Sequence, residues 1–227
     1  MWQPLLQPGL GLLAGSRRLL PNFCQTLSQH ALHTNPGAVL WLDGAHCFNP
    51  YDFAEQNLQA GYAADDGADR MLIKRCMTAF QWDTVLTQHL DEKLLQVDAS
   101  MVIAAPFDRL LTHEELQDWE QEDYTRYALH HLKNLTRRYQ IPILLAVDMD
   151  RLWRTHPILA RATYEAAHHR WAITHNGYGF CAAQQDGSTI DAGLHQITLL
   201  NFLPENTPLF VSNREAPSAA SSSMPHA

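Results

Sequence analysis

Short unbroken apolar runs alternate with amphipathic stretches along this chain. The runs fall at residues 10–14, 38–42, 100–106 and 141–147. Continuous runs of this length, bounded by turn signals, predict strands buried on both faces of a parallel sheet. Between them, helical spacing predicts helices over residues 23–33, 52–61, 123–139 and 156–169. Phe23, Leu27 and Ala31 share one face of the first, and Asn35-Pro36-Gly37 ends it. Tyr127, His131, Leu132 and Leu135 recur along the third, and Arg137-Arg138 suit its C-terminal end. Residues 71–75 read as a further short strand. Thr78 reads as the cap of a helix carrying Phe80, Val85, Leu86 and Leu90 inward. Late in the chain, residues 171–174, 180–183 and 195–200 read as strands joined by turns at Asn176-Gly177 and Asp186-Gly187. The whole predicts an α/β fold: a mostly parallel central sheet, helices on both faces, and antiparallel strands at the C-terminal end.

The first strand leads through a turn into a helix, the setting of a phosphate-binding P-loop. That loop needs G-x-x-x-x-G-K-[ST]. With Gly15 as the first glycine, Leu20 stands at the second glycine, Pro21 at the lysine and Asn22 at the hydroxyl. Leu20 carries a branched side chain where the backbone should curl around phosphate. Pro21 supplies no charge and no N–H. Asn22 caps a helix but substitutes poorly for a magnesium-bound hydroxyl. Residues Gly15, Ser16, Arg17, Arg18, Leu20, Pro21 and Asn22 thus spell a degenerate nucleotide loop. An ordinary strand–turn–helix is the plainer account of the same residues. Arg17 and Arg18 leave open an anion at the helix N-terminus.

Composition narrows the function classes. The chain has 227 residues and a net charge of −8, so its overall charge does not favour nucleic acid. It is expected to form one domain over residues 1–210, followed by a disordered Ser/Ala/Pro-rich tail over 211–227. Four cysteines (Cys24, Cys47, Cys76, Cys181) lie far apart with no C-x-x-C, against a zinc knuckle or a disulfide framework. Reduced thiols and the absence of an 18-residue apolar run lead to the expectation of a cytoplasmic protein with no membrane contact. No acid precedes Asp43, a transit-peptide-like balance. The same residues supply a strand and a helix that the fold needs, and that reading is preferred.

Polar residues at strand ends are the remaining candidates, because functional loops of open α/β sheets lie at the carboxyl ends of strands. Asp43 and His46 follow the second run, Asp108 lies in the loop after the third, and Asp148 follows the fourth. Thr112 to Glu115 has capping-box spacing, and the acids from Glu114 to Asp123 read as a solvated face. His30 and His33 read as exposed helix-end histidines rather than a metal pair. Arg151, Trp153 and Arg154 form a basic–aromatic cluster able to contact nucleic acid by charge and stacking.

The text Leu40-Trp41-Leu42-Asp43-Gly44-Ala45-His46-Cys47-Phe48-Asn49-Pro50-Tyr51 resembles the second core strand of the RecA/RadA recombinase-like P-loop ATPases. The helix start at Thr78-Ala79-Phe80-Gln81 and the later apolar strands follow in the order of that family. The resemblance spans residues 8–203 and implies a RecA-like fold. It also implies which chemistry is gone. The phosphate lysine falls on Pro21, the hydroxyl ligand on Asn22, the catalytic glutamate on Ala45, and the second-motif aspartate on or beside Ala105. The sensor of the terminal phosphate falls near Asp148. Loss of a general base alone removes about 10²–10⁴-fold in rate. The resemblance therefore implies a pseudo-ATPase without cofactor, acting by protein contact in DNA recombination or repair, with DNA a weaker partner. Two other readings stand beside it. One is a magnesium-dependent enzyme using Asp43, Asp108 and Asp148 at the sheet's carboxyl edge. The other is a single-stranded nucleic-acid binder using Arg17, Arg18, Arg151, Trp153 and Arg154.

Overall fold

A computed structural model describes residues 2–175, 180–184 and 195–198. The apolar runs become strands β1 (Gly9–Ala14), β2 (Ala38–Asp43), β4 (Ala99–Ala105) and β5 (Pro142–Val147). The short strand β3 is Met71–Arg75, and β6 (His169–His175), β7 (Phe180–Gln184) and β8 (His195–Thr198) complete the sheet. The order is β3-β2-β4-β5-β1-β6-β7-β8. The first six positions pair in parallel, and β7 and β8 join antiparallel. All side chains of β2 and β5 are buried, as unbroken apolar runs require.

Alternation along each strand splits the core into two layers. Leu13, Val39, Trp41, Ile103, Leu144 and Ala146 face one side, where Phe23, Leu27 and Ala31 of α1 (Leu20–Thr34) cover them. Phe53 of α2 (Pro50–Gln59) joins that layer. Leu10, Leu12, Leu40, Leu42, Val102 and Leu145 face the other side. There they meet α3 (Ala79–Thr84), a π-helical turn (Val85–His89), α4 (Leu90–Leu94), α5 (Asp108–Leu111) and α6 (Asp118–Tyr139). Helices α7 (Met149–Thr155) and α8 (Pro157–Ala166) complete that face. After β1 the chain runs to the first face, and after β5 to the second. The loops of two neighbouring strands therefore diverge, which opens a crevice at their carboxyl ends.

Several expectations are corrected. Phe80 is exposed, and Trp82 takes the inward place because it falls two positions further round the short helix. Tyr127 is exposed as well. The buried face of α6 is Thr125, Ala128, Leu129, Leu132, Leu135 and Thr136, a stripe whose small and hydroxylated members hide it from a hydrophobicity count. The helix begins at Asp118, and its capping box is Gln117 with Glu120, not Thr112 with Glu115. Asp108 opens a helix rather than lying in a loop. The segment read as one helix over 156–169 is two elements. Pro157 starts α8, which ends at Ala166, and His169 already belongs to β6. The turns at Asn176-Gly177 and Asp186-Gly187, the end of the domain at residue 210 and the tail over 211–227 lie outside the described residues. No described helix is long and apolar enough to cross a membrane.

Candidate functional site

The β1–α1 loop sits at the crevice, at the carboxyl edge of the sheet. Gly15 donates its N–H to the Val147 carbonyl at 3.2 Å, tying the loop to β5. A Cβ on Gly15 would stand 3.1 Å from the Ile173 carbonyl and 3.2 Å from Leu20 Cδ2, so a larger residue needs the neighbours to give. The amides of Leu19 and Leu20 both donate to the Ser16 carbonyl at 3.0 Å. Two N–H groups that a phosphate cradle would present outward are thus consumed within the turn. Leu20 is buried in the core layer beneath α1. Pro21 occupies the first turn of that helix, where a missing N–H is harmless. Arg17, Arg18 and Asn22 are exposed.

The corner beside this loop holds a cavity of about 140 Å³. Leu20, Pro21, Ala45, Ala105 and Ala146 give it apolar walls, while Arg17, Arg109 and Asp148 stand on its lining too. The cavity is smaller than the roughly 300–1,000 Å³ of a pocket that encloses a drug-sized ligand. A broader depression of about 600 Å³ lies on the other flank of the loop, between Arg18, Asp150 and the end of β6.

Asp43 is fully buried at the end of β2. Its Oδ1 accepts the amides of Ala45 and Cys47 at 3.2 and 2.9 Å, and its Oδ2 accepts Phe48 at 3.2 Å. Arg75 Nε stands 3.6 Å away, and the same guanidinium donates to the Phe48 carbonyl. The carboxylate is the nucleus of its own loop. That loop holds Asn49 as the cap of α2 and turns His46 into a left-handed conformation (φ 56°) beside Met77. The Cys47 thiol donates to the Ala105 carbonyl. Burial first, then the Asp43 charge, pushes that thiol well above its ordinary range. Burial drives Cys24 up strongly and Cys76 to about 11, the opposite of the lowered pKa that marks a reactive thiol.

Asp108 and Asp148 are linked through one arginine. Asp148 caps α7 by accepting the Arg151 amide at 3.1 Å. The Arg151 guanidinium donates to Asp108 Oδ2 at 3.2 Å and to Thr112 Oγ1 at 3.1 Å. Asp108 is 3 % exposed, and burial raises its pKa against the opposing pull of Arg151. Arg151, expected at a nucleic-acid surface, is therefore turned inward. Arg154 donates to the Asp150 carbonyl on its own helix, and Trp153 is 44 % exposed. Among the described residues, no three His, Cys, Asp or Glu side chains form a metal-ligand group. The expected convergence of Asp43, Asp108 and Asp148 on magnesium is corrected accordingly, because Asp43 faces its own loop amides and Asp108 faces Arg151.

Arg75, Arg109 and a polar ladder on α1 also take places here that no sequence motif marks. Gln25, Gln29 and His33 repeat every fourth position and meet α2. Gln25 exchanges two hydrogen bonds with the Asn49 backbone. Asn57, fully buried, accepts from Gln29 and contacts His33, and donates to the Ala64 and Asp66 carbonyls. His33 also stacks on Tyr62. His30 is half-buried and stacks on Trp2. Neither is the exposed helix-end histidine expected from spacing. The four-residue repeat of Gln25, Gln29 and His33 was the available signal. No protein-family model matches this sequence, and no curated protein matches it either.

Proposed function

We propose that this chain is a non-catalytic member of the RecA-like group that acts through protein contacts in a recombination or DNA-repair assembly. One observation supports the loss of catalysis: the Leu19 and Leu20 amides close the β1–α1 loop on the Ser16 carbonyl, and Leu20 is buried in the core. The mostly parallel sheet with two antiparallel strands at its end is compatible with the RecA-like reading. The recombination or repair setting comes from the sequence resemblance. A surface suited to protein contact supports the scaffold role. Among the described residues β3 is paired on one side only, and an edge strand offers free N–H and C=O groups to an extended partner segment. A groove of about 340 Å³ runs beside it, with Leu40, Leu72, Val85 and Leu90 in its walls, and Ile73 on the edge is 40 % exposed.

Two measurements test the reading. Calorimetric titration with magnesium–ATP, alongside phosphate release, is expected to give no micromolar binding and no turnover. Micromolar affinity with magnesium-dependent hydrolysis would overturn it. Affinity capture from the host with the wild-type chain and with Ile73→Glu tests the setting. Recombination or repair proteins held by the first and lost by the second are expected. Recovery of only unrelated proteins, equally by both, removes that assignment.

A further inference from the structure

Six tryptophans occur in the chain. Trp2, Trp41, Trp82 and Trp171 are at most 2 % exposed, whereas Trp119 is 61 % exposed. It stands in the first turn of α6, and its indole N–H donates to the Gln117 side chain at 2.8 Å. The ring is thereby held at the surface. Two helical turns on, Tyr127 is also 61 % exposed. Asp123 lies midway, four residues from each, and is exposed. Residues four apart on a helix are neighbours on one stripe. Trp119, Asp123 and Tyr127 therefore form a ring–carboxylate–ring ladder about 12 Å long at 1.5 Å rise per residue. Tyr124 adjoins Tyr127 on the same helix and packs edge-on against Phe80 of α3, itself 54 % exposed.

Burial of tryptophan and tyrosine is the ordinary outcome, and a run of exposed rings marks a surface that another molecule covers. The charges around the rings identify what kind. Among the described residues no ion pair involves Asp118 or Asp123, and Glu120 closes the capping box. Arg126, beside this stripe on the same helix, is paired with Glu122 at 3.5 Å. Rings with carboxylates between them attract cations through both charge and the π faces, and they repel phosphate backbones. We propose that this face of α6 docks an arginine- or lysine-rich segment of a partner protein, with one cationic side chain seated between Trp119 and Tyr127 against Asp123. The inference rests on the scaffold reading and adds the chemistry of one partner.

The test uses the full chain and a fluorescent synthetic peptide of alternating arginine and leucine, followed by anisotropy. Saturable binding is expected. It weakens about tenfold in Trp119→Ala, in Tyr127→Ala and in Asp123→Asn, and falls as salt rises. Leu58→Ala, on α2 over the opposite face of the sheet, stays within about twofold. A glutamate–leucine peptide and a single-stranded oligonucleotide are not bound. Equal binding of the acidic peptide or the oligonucleotide overturns the proposal. So does wild-type affinity in all three face variants, or the absence of saturable binding. Asp123→Asn changes one exposed group, so the test survives any folding defect in the aromatic variants. Micromolar ATP binding with the peptide still docked removes the scaffold reading alone. Loss of the docking result without ATP binding removes the proposed face alone.

Discussion

Replacing Asp43 separates a loop anchor from a reacting group. The native carboxylate receives three amide hydrogen bonds at 2.9–3.2 Å and faces Arg75 at 3.6 Å. Hydrogen bonds to a charged acceptor contribute about 1.5–3 kcal/mol each, and a simple sum would give roughly 5–9 kcal/mol. The three amides share one loop, so their losses are not additive. Water also reaches the half-buried Ala45 and Cys47 once the carboxylate is gone. The Arg75 pair adds little, because Arg75 is largely solvated. Asp43→Ala is thus expected to destabilise the protein by about 3–4 kcal/mol. For a chain of this size that lowers Tm by about 6–16 °C. Asp43→Asn retains one carbonyl oxygen able to keep the Ala45 and Cys47 bonds, while its NH₂ opposes Phe48 N–H; about 2 kcal/mol is expected. Urea and thermal melts of the three proteins, with and without magnesium, read this out. Magnesium should leave every curve in place. Losses below about 0.5 kcal/mol in both variants, with unchanged denaturant slopes, would refute the anchoring role.

Asn57→Ala removes four side-chain hydrogen bonds and strands the Ala64 and Asp66 carbonyls, so calorimetry should show a loss of about 2–4 kcal/mol. A loss near zero would mean that solvent replaces them all. His30 is lowered to about 4 by burial, helped by His33. A depressed histidine favours the folded state in its neutral form. That contribution is present above about pH 6.5 and is lost as pH falls toward about 4, by about 1–2 kcal/mol once solvent screening of this half-exposed ring is allowed for. His30→Gln should flatten that part of the pH–stability curve. Arg151→Met leaves Asp108 buried without its partner and should cost about 3 kcal/mol at neutral pH. Burial holds the Asp108 pKa up, so folding favours the protonated carboxyl. The defect should therefore shrink on acidification through the Asp108 pKa, and a pH-independent defect would contradict the pairing.

Much of the sheet was legible because its strands announce themselves. Residues 38–42 and 141–147 are short apolar runs bounded by turn signals, which favours a strand buried on both faces over a helix. The Met71–Arg75 strand matched residue for residue. The helices were legible in place but not in facing. On α6 the expected Leu132 and Leu135 are buried, but Thr125, Ala128 and Thr136 share their stripe, while Tyr127 and Trp119 point outward. A hydrophobic count ranks those residues the wrong way round, since it cannot see which neighbour each one meets. The departure of Leu20, Pro21 and Asn22 from the P-loop pattern was plain from the sequence.

Sequence alone determined the alternation of elements, the split of each strand between two faces, and the departure of residues 15–22 from the P-loop pattern after β1. Those follow from side-chain type and local periodicity. Tertiary structure decided what each polar residue does. Asp43, Asp108 and Arg151 look alike as charges at strand ends, yet one nucleates a loop and the other two pair with each other across 43 positions of sequence. The same holds for Gln25, Gln29 and Asn57, which are buried because α1 and α2 bring complementary donors and acceptors together. The role of a polar group depends on the partner that the fold brings within hydrogen-bond reach, and no local pattern encodes that distance.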